Sequence, residues 1–416
     1  MLINTGKNFN SGKHQSIYIK SFMKSVSQTR LHVVDALRGF AIVSIMLLHN
    51  LEHFDFYFQP SGLPDWMQAL DKVIWDSLFF LFAGKSYAIF ALLFGLTFYL
   101  QSERQAQIGK NFSARFAWRM LLLLGFGIIN SAFYQGDILT LYAVIGVLLI
   151  PFYRLSTKWV LITAIILMLQ PFEWIHLFRA FEHPDKLMSD PVSWTYFGKM
   201  ESYITGSSFL ATVAGNLSNG KYAVILWTWE NGRVLQTLSL FLLGMLAGRK
   251  QLFDLNHSTL IFWKKVIIVS FSAFLPLYYF KQHAADFTTR EAVLRPIQTL
   301  LTSWTNMAFL GILVAGFVLL FAAKSPQKLL KGFSPIGRMS LSNYIFQSIL
   351  GSFIYYGFGL SMYKYTGATY SLLIGLSLAI LQGIFSSWWM KNNRQGPLET
   401  LWHRATWMSL KRAQQR

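Results

Sequence analysis

Apolar residues gather along this chain in long runs, each closed by a short cluster of charged, glycine or proline residues. The runs fall at about 36–54, 75–100, 117–134, 138–153, 159–178, 233–248, 261–280, 297–323, 336–360 and 369–390. About 20 apolar residues at roughly 1.5 Å each span a hydrocarbon core of about 30 Å. The pattern predicts an all-α polytopic membrane protein of about ten transmembrane helices, bundled over residues 31–391. Residues 1–30 are polar and basic and read as a disordered tail; residues 392–416 read as a second basic tail. One connection is long, 179–230. It carries Glu182, Asp185, Asp190, Glu201 and Glu230 among tryptophans and tyrosines, and reads as an extramembrane segment with interfacial amphipathic pieces. The helix count is least constrained between residues 205 and 250.

Composition sharpens this picture. Only 13% of the 416 residues are charged and 53% are hydrophobic, against about 25% charged in a soluble domain. The formal net charge is +19. Its distribution argues against nucleic acid as the partner: Lys and Arg concentrate in the two tails and in alternate loops near 101–119, 154–158, 249–265 and 324–338, while acids fall in the other set. By the positive-inside rule both termini are cytoplasmic. The lipid bilayer is the expected partner, in a bacterial cytoplasmic (inner) membrane. Cysteine is absent, which removes thiol nucleophiles, disulfides and zinc–thiolate sites.

Candidate chemistry centres on the first run. Asp35 and Arg38 open it, and His49 follows Arg38 by eleven residues, about three turns, so Arg38 and His49 share a helix face about 16 Å apart along the axis. This reads as a polar track that lipid does not favour. His49 is the candidate catalytic residue, with an outer interfacial helix end as the bland alternative; His49 and His53 lack a clear third ligand for a metal. Lys85 lies inside the second run, with Asp76 or Asp35 as possible partners, and intramembrane charge marks a site by default. Asp137 in a Gly-Asp turn reads as a helix cap or a substrate ligand. Asn343, between serines, reads as helix–helix glue or a ligand. Arg119 and Arg338 are cations suited to donor phosphates, or simple topology signals.

Four motifs carry a resemblance: Asp35-Ala-Leu-Arg-Gly-Phe-Ala; Gly84-Lys85 followed by Leu92-Leu93-Phe94-Gly95; Gly136-Asp137-Ile138-Leu139 with Tyr142-Ala143; and Gly337-Arg338-Met339-Ser340-Leu341-Ser342-Asn343-Tyr344 paired with Gly396-Pro397-Leu398-Glu399. Together they resemble the YeiB-like bacterial membrane proteins, whose C-terminal domain of unknown function 418 would cover about 235–407 here. The chain departs from that pattern at Asn130, often histidine, and at Thr400, commonly aromatic. The first helix, with Leu37-Arg38-Gly39 and a histidine eleven residues beyond Arg38, is also similar to that of membrane acyltransferases of the acyltransferase-3 and heparan-α-glucosaminide N-acetyltransferase type.

That second likeness implies transfer of an acyl group from cytoplasmic acyl-CoA to an envelope glycan, lipid or small molecule. His49 would be catalytic, and Arg38 would help hold the anionic donor. Asp35, Lys85, Arg119, Asp137, Arg338 and Asn343 complete the candidate donor or substrate ligands. Acyl-CoA would be a co-substrate, with no permanently bound cofactor and no metal. The competing expectation is a transporter using the same intramembrane charges, and a third is a non-enzymatic membrane scaffold.

Overall fold

The computed structural model describes residues 31–58, 60, 62–183 and 189–408. The expected tail 1–30, Asp185, and the last eight residues of the second tail lie outside the described residues. From Val33 onward the chain is one unit, all-helical among the described residues.

Six of its helical segments are long and apolar enough to cross a membrane, or seven if one bent pair counts as a span. The first is α1 (His32–Leu51). Then come α2 (Asp65–Phe82) and α3 (Ser86–Gln107), which together count as one, and α4 (Ser113–Phe133). Next are the short α5 (Leu139–Val147) and the bent pair α6 (Thr157–Met168) and α7 (Pro171–Glu182). Most of the long connection is helical too. Phe209–Gly215, a π-helical turn Asn216–Gly220 and α8 (Lys221–Glu230) follow one another without interruption. The chain continues with α9 (Arg233–Arg249), α10 (His257–Gln282), α11 (Glu291–Ala322), α12 (Ser340–Tyr355), α13 (Ala368–Asn392) and α14 (Pro397–Trp407).

Helix α1 is the hub. In its most apolar window 72% is buried, against 11% for α10, which forms a rim. At the near end of the unit, α1 crosses the short helix Ser334–Arg338 at two glycines: a β-carbon on Gly39 would overlap the Phe333 carbonyl, and one on Gly337 the Asp35 carbonyl. Only glycine permits this backbone approach. Arg249 donates to the carbonyls of Phe152, Tyr153 and Leu155 at the same end, and Arg115 to that of Thr406. The far end is tied by Tyr356 donating to the Phe54 carbonyl and by Asp71 accepting from Thr369.

Three helices break beside α11. Between α2 and α3 the chain turns at Gly84 (φ +75°), which packs on Asn306. Between α6 and α7 it turns at Gln170 (φ +54°), and between α8 and α9 at Gly232 (φ +64°). The Gln170 amide bridges two of these features, donating to the Gly232 carbonyl at 3.0 Å and to the Ser303 hydroxyl at 3.3 Å. Side chains and neighbouring helices thus satisfy backbone groups that lipid would leave unpaired.

Candidate functional site

The site begins where α1 ends. His53, Phe54 and Asp55 are consecutive and all left-handed, at φ +45°, +57° and +70°. Non-glycine residues rarely adopt this conformation, and it persists only where the surroundings over-determine it. Here they do. Phe54 N–H bonds the His49 carbonyl at 2.8 Å, Tyr356 holds the Phe54 carbonyl at 2.7 Å, and the buried His53 Nε2 meets the Ser371 hydroxyl at 2.9 Å. This tight turn folds Asp55 back over His49.

A connected polar group results. His49 Nδ1 lies 3.3 Å from Glu52 Oε2 and 3.2 Å from the Tyr134 hydroxyl, and Tyr134 donates to Asp55 Oδ1 at 3.2 Å. The tyrosine ring stands 4.6 Å from the imidazole, and Phe54 packs on both. The network is satisfied when the imidazole proton sits on Nδ1 and is shared with Glu52 and the tyrosine oxygen. That leaves the Nε2 lone pair free, since Nε2 has no hydrogen bond among the described residues. An imidazole oriented by a carboxylate, with its second nitrogen open, can act as a general base. Burial and the adjacent Glu52 carboxylate push the Asp55 carboxyl up to about 7.

The other expected residues are spread over the unit. Arg38 pairs with Asp35 at 3.4 Å and donates to Thr97 at 3.2 Å. It does not share a polar track with His49. Ile42 and Ile45 stand between them in a closed apolar cluster with Ile336 and Tyr344, packed round by Phe90, Ile138 and Leu139. Three turns of shared helix face do not make a shared cavity when apolar side chains fill the intervening positions. Lys85 pairs with neither Asp76 nor Asp35. It donates to the Phe80 carbonyl at 2.8 Å, beside the Phe80 and Phe309 rings, and so closes the end of α2; Asp76 is taken by Lys72 at 2.8 Å.

Arg119 stacks on Trp402 at 3.5 Å, and Arg338 donates to the Arg394 carbonyl. Asn343 donates to the Ile336 carbonyl and the Ser386 hydroxyl, which is a helix-packing role. Asp137 accepts from Thr140 N–H at 2.9 Å in the first turn of α5 and from Asn130 at 2.9 Å. Its charge partner is Lys221 at 3.5 Å, from the connection the sequence placed outside the membrane. Between the Asp137 and His49 groups runs one face of α12: Tyr344 accepts from Ile138 N–H, and Gly351 abuts Phe54. Gln347 lies on that face, fully buried, with neither end of its amide bonded among the described residues.

Glu52, Asp55, Tyr134 and Lys221 were not singled out as site residues from the sequence. The one available signal was the acidic Glu52 one turn beyond His49.

Residues 247–409 match a family described as "Protein of unknown function (DUF418)". Along nearly its whole length the chain is similar to "Uncharacterized protein YxaH" of Bacillus subtilis, 28% identical over 94% of this chain and 98% of that protein. It is similar to the "Uncharacterized 39.9 kDa protein in amylase 3'region" of Bacillus acidopullulyticus, 27% identical over 91% and 94%. It is also similar to "Uncharacterized protein YeiB" of Escherichia coli, 25% identical over 90% and 95%.

Proposed function

We propose, for a chain that belongs to the YeiB-like DUF418 family, an acyl transfer at the far end of α1, with His49 as the general base. The observation that carries this reading is the imidazole held at Nδ1 by Glu52 and Tyr134, with Nε2 open. In the step, His49 Nε2 takes the proton of an acceptor hydroxyl or amine. The acceptor atom bonds the thioester carbonyl carbon, the C–S bond breaks, and the CoA thiolate leaves with the proton that His49 returns. Ile42 and Ile45 close the direct path along α1, so this reading requires them to move aside when the donor binds.

The topology proposed with it has ten crossings and both termini in the cytoplasm of a bacterial inner membrane. The near-end contacts of Arg115, Arg249 and Arg338 support that side as cytoplasmic. The short or bent segments α5, α6–α7, Phe209–Arg249 and α12 would supply the four crossings beyond the six long ones.

The transporter reading has its own support. Three helix breaks gather beside α11, and broken helices at one level mark substrate sites in transporters. One assay separates the two. The chain has no cysteine, so CoA release can be read with a thiol reagent free of protein background. Acyl-CoA-dependent thiol release that His49→Ala abolishes supports transfer. No release with any acyl-CoA, together with substrate flux in proteoliposomes, supports transport and overturns the first reading.

A further inference from the structure

We infer that Arg233 binds an anionic group, a phosphate or carboxylate, on the acceptor that His49 deprotonates. The inference rests on the acyl-transfer reading for what happens at His49, but not for the binding itself.

Arg233 opens α9 directly after the left-handed Gly232. Its guanidinium lies between two aromatic faces, 4.6 Å from the Tyr87 ring centre and 4.4 Å from that of Trp227. Ring faces attract the cation and hold its plane, but they accept none of its N–H groups in a strong hydrogen bond. Among the described residues Arg233 makes no hydrogen bond and no ion pair. Arg249 and Arg295, by contrast, spend their donors on backbone carbonyls. A half-buried guanidinium with its plane fixed and its five donors unspent is prepared for a planar or tetrahedral oxyanion.

Its position relates it to the base. Tyr57 lies within the field of Glu52, Asp55 and Arg233 alike, so this cation and the acidic group around His49 belong to one neighbourhood. Arg233 nevertheless forms no ion pair with Glu52 or Asp55. On this inference, a molecule that puts its anion on Arg233 presents its hydroxyl or amine to His49. Tyr57 itself is 62% exposed. The shared chemistry fits a phospholipid headgroup or a soluble phosphate ester.

The test is equilibrium binding to the full chain in nanodiscs of neutral, zwitterionic lipid. The probes are phosphatidylglycerol, glycerol 3-phosphate, and their uncharged counterparts diacylglycerol and glycerol. The expected result is saturable binding of one anionic probe at least tenfold tighter than its uncharged counterpart. Arg233→Gln should weaken it at least tenfold, and Arg233→Lys less. Preference for the lipid or the soluble ester identifies the source. Equal binding of charged and uncharged probes by the native chain, or full binding by Arg233→Gln, overturns the inference. The native-chain comparison decides the matter even if a variant misfolds. Binding that depends on Arg233 in a protein without thiol release would sink the transferase reading alone; thiol release with binding indifferent to Arg233 would sink this one alone.

Discussion

Glu399 caps a helix that begins 59 residues before it: its Oε1 accepts the backbone N–H of Ser342 at 3.1 Å and of Leu341 at 2.7 Å, and its Oε2 takes the Ser342 hydroxyl. Helix α12 starts with four N–H groups and no internal partners for them, and a carboxylate there also suits the positive end of the helix dipole. The Gly-Arg-Met-Ser-Leu-Ser and Gly-Pro-Leu-Glu motifs are therefore two halves of one clamp. Glu399→Ala should cost about 2–3 kcal/mol, in the range for hydrogen bonds to a charged group, and Glu399→Gln about half that. Thermal unfolding in detergent measures it. An unchanged melting temperature for the alanine variant would remove the clamp.

Glu52 orients the base without reacting. On the transferase reading Glu52→Gln keeps the shape of the site but loses the charge that holds Nδ1–H. Turnover should fall about 10- to 100-fold, short of the loss in His49→Ala, since positioned acid–base groups contribute roughly 10²–10⁴-fold. Steady-state thiol release reports this, and the effect should lie in kcat more than in KM. A Glu52→Gln enzyme at full speed would leave Tyr134 as the orienting group.

Asp55 makes stability fall with rising pH. Its folded pKa is about 7 against an ordinary 3.8, so between those values the folded chain holds a proton that the unfolded chain has released. Stability contributed by the neutral carboxyl is present below the unfolded value and lost as pH climbs through about 7. The melting temperature should therefore decline between about pH 4 and 7, and Asp55→Asn should flatten that decline. A slope of opposite sign, or one unchanged in Asp55→Asn, would show that another group titrates.

What could be read in the sequence follows from the range of each interaction. Apolar runs located the helices, because desolvation acts on each segment alone. Run length did not carry over to helix length: the runs at 138–153 and 233–248 became helices of nine and 17 residues, and 159–178 broke at Gln170, whose amide was needed at Gly232 and Ser303. His49 stood out because a histidine in an apolar helix is costly. Its partners did not. Asp55 reaches the site only through three left-handed residues that no local propensity favours, and Tyr134 arrives from the end of α4. The family motifs proved legible for another reason. Gly39, Gly337 and Glu399 mark close backbone contacts, where one residue type fits whatever the chemistry nearby.

The Asp137–Lys221 pair offers a prediction with a built-in asymmetry. The carboxylate side chain is wholly buried and the ammonium is 16% exposed. Removing the acid leaves Lys221 with the Ser131 hydroxyl at 3.0 Å, the Thr140 hydroxyl and the Asp137 carbonyl. Removing the lysine leaves a buried carboxylate with Asn130 and backbone N–H groups of the α5 first turn as its donors among the described residues. An uncompensated buried charge costs about 3–5 kcal/mol, whereas a cation that keeps several oxygen partners loses much less. Lys221→Met should thus destabilise by about 3–5 kcal/mol and Asp137→Asn by about 1–2 kcal/mol. The double variant should be more stable than Lys221→Met alone, because it removes the stranded charge. Lowering the pH should rescue Lys221→Met, by protonating Asp137, and leave Asp137→Asn unmoved. Thermal unfolding of the three variants at two pH values completes the cycle. Equal losses in the two single variants, adding in the double, would mean that the pair is not coupled and that the π-helical turn before Lys221 is positioned by packing alone.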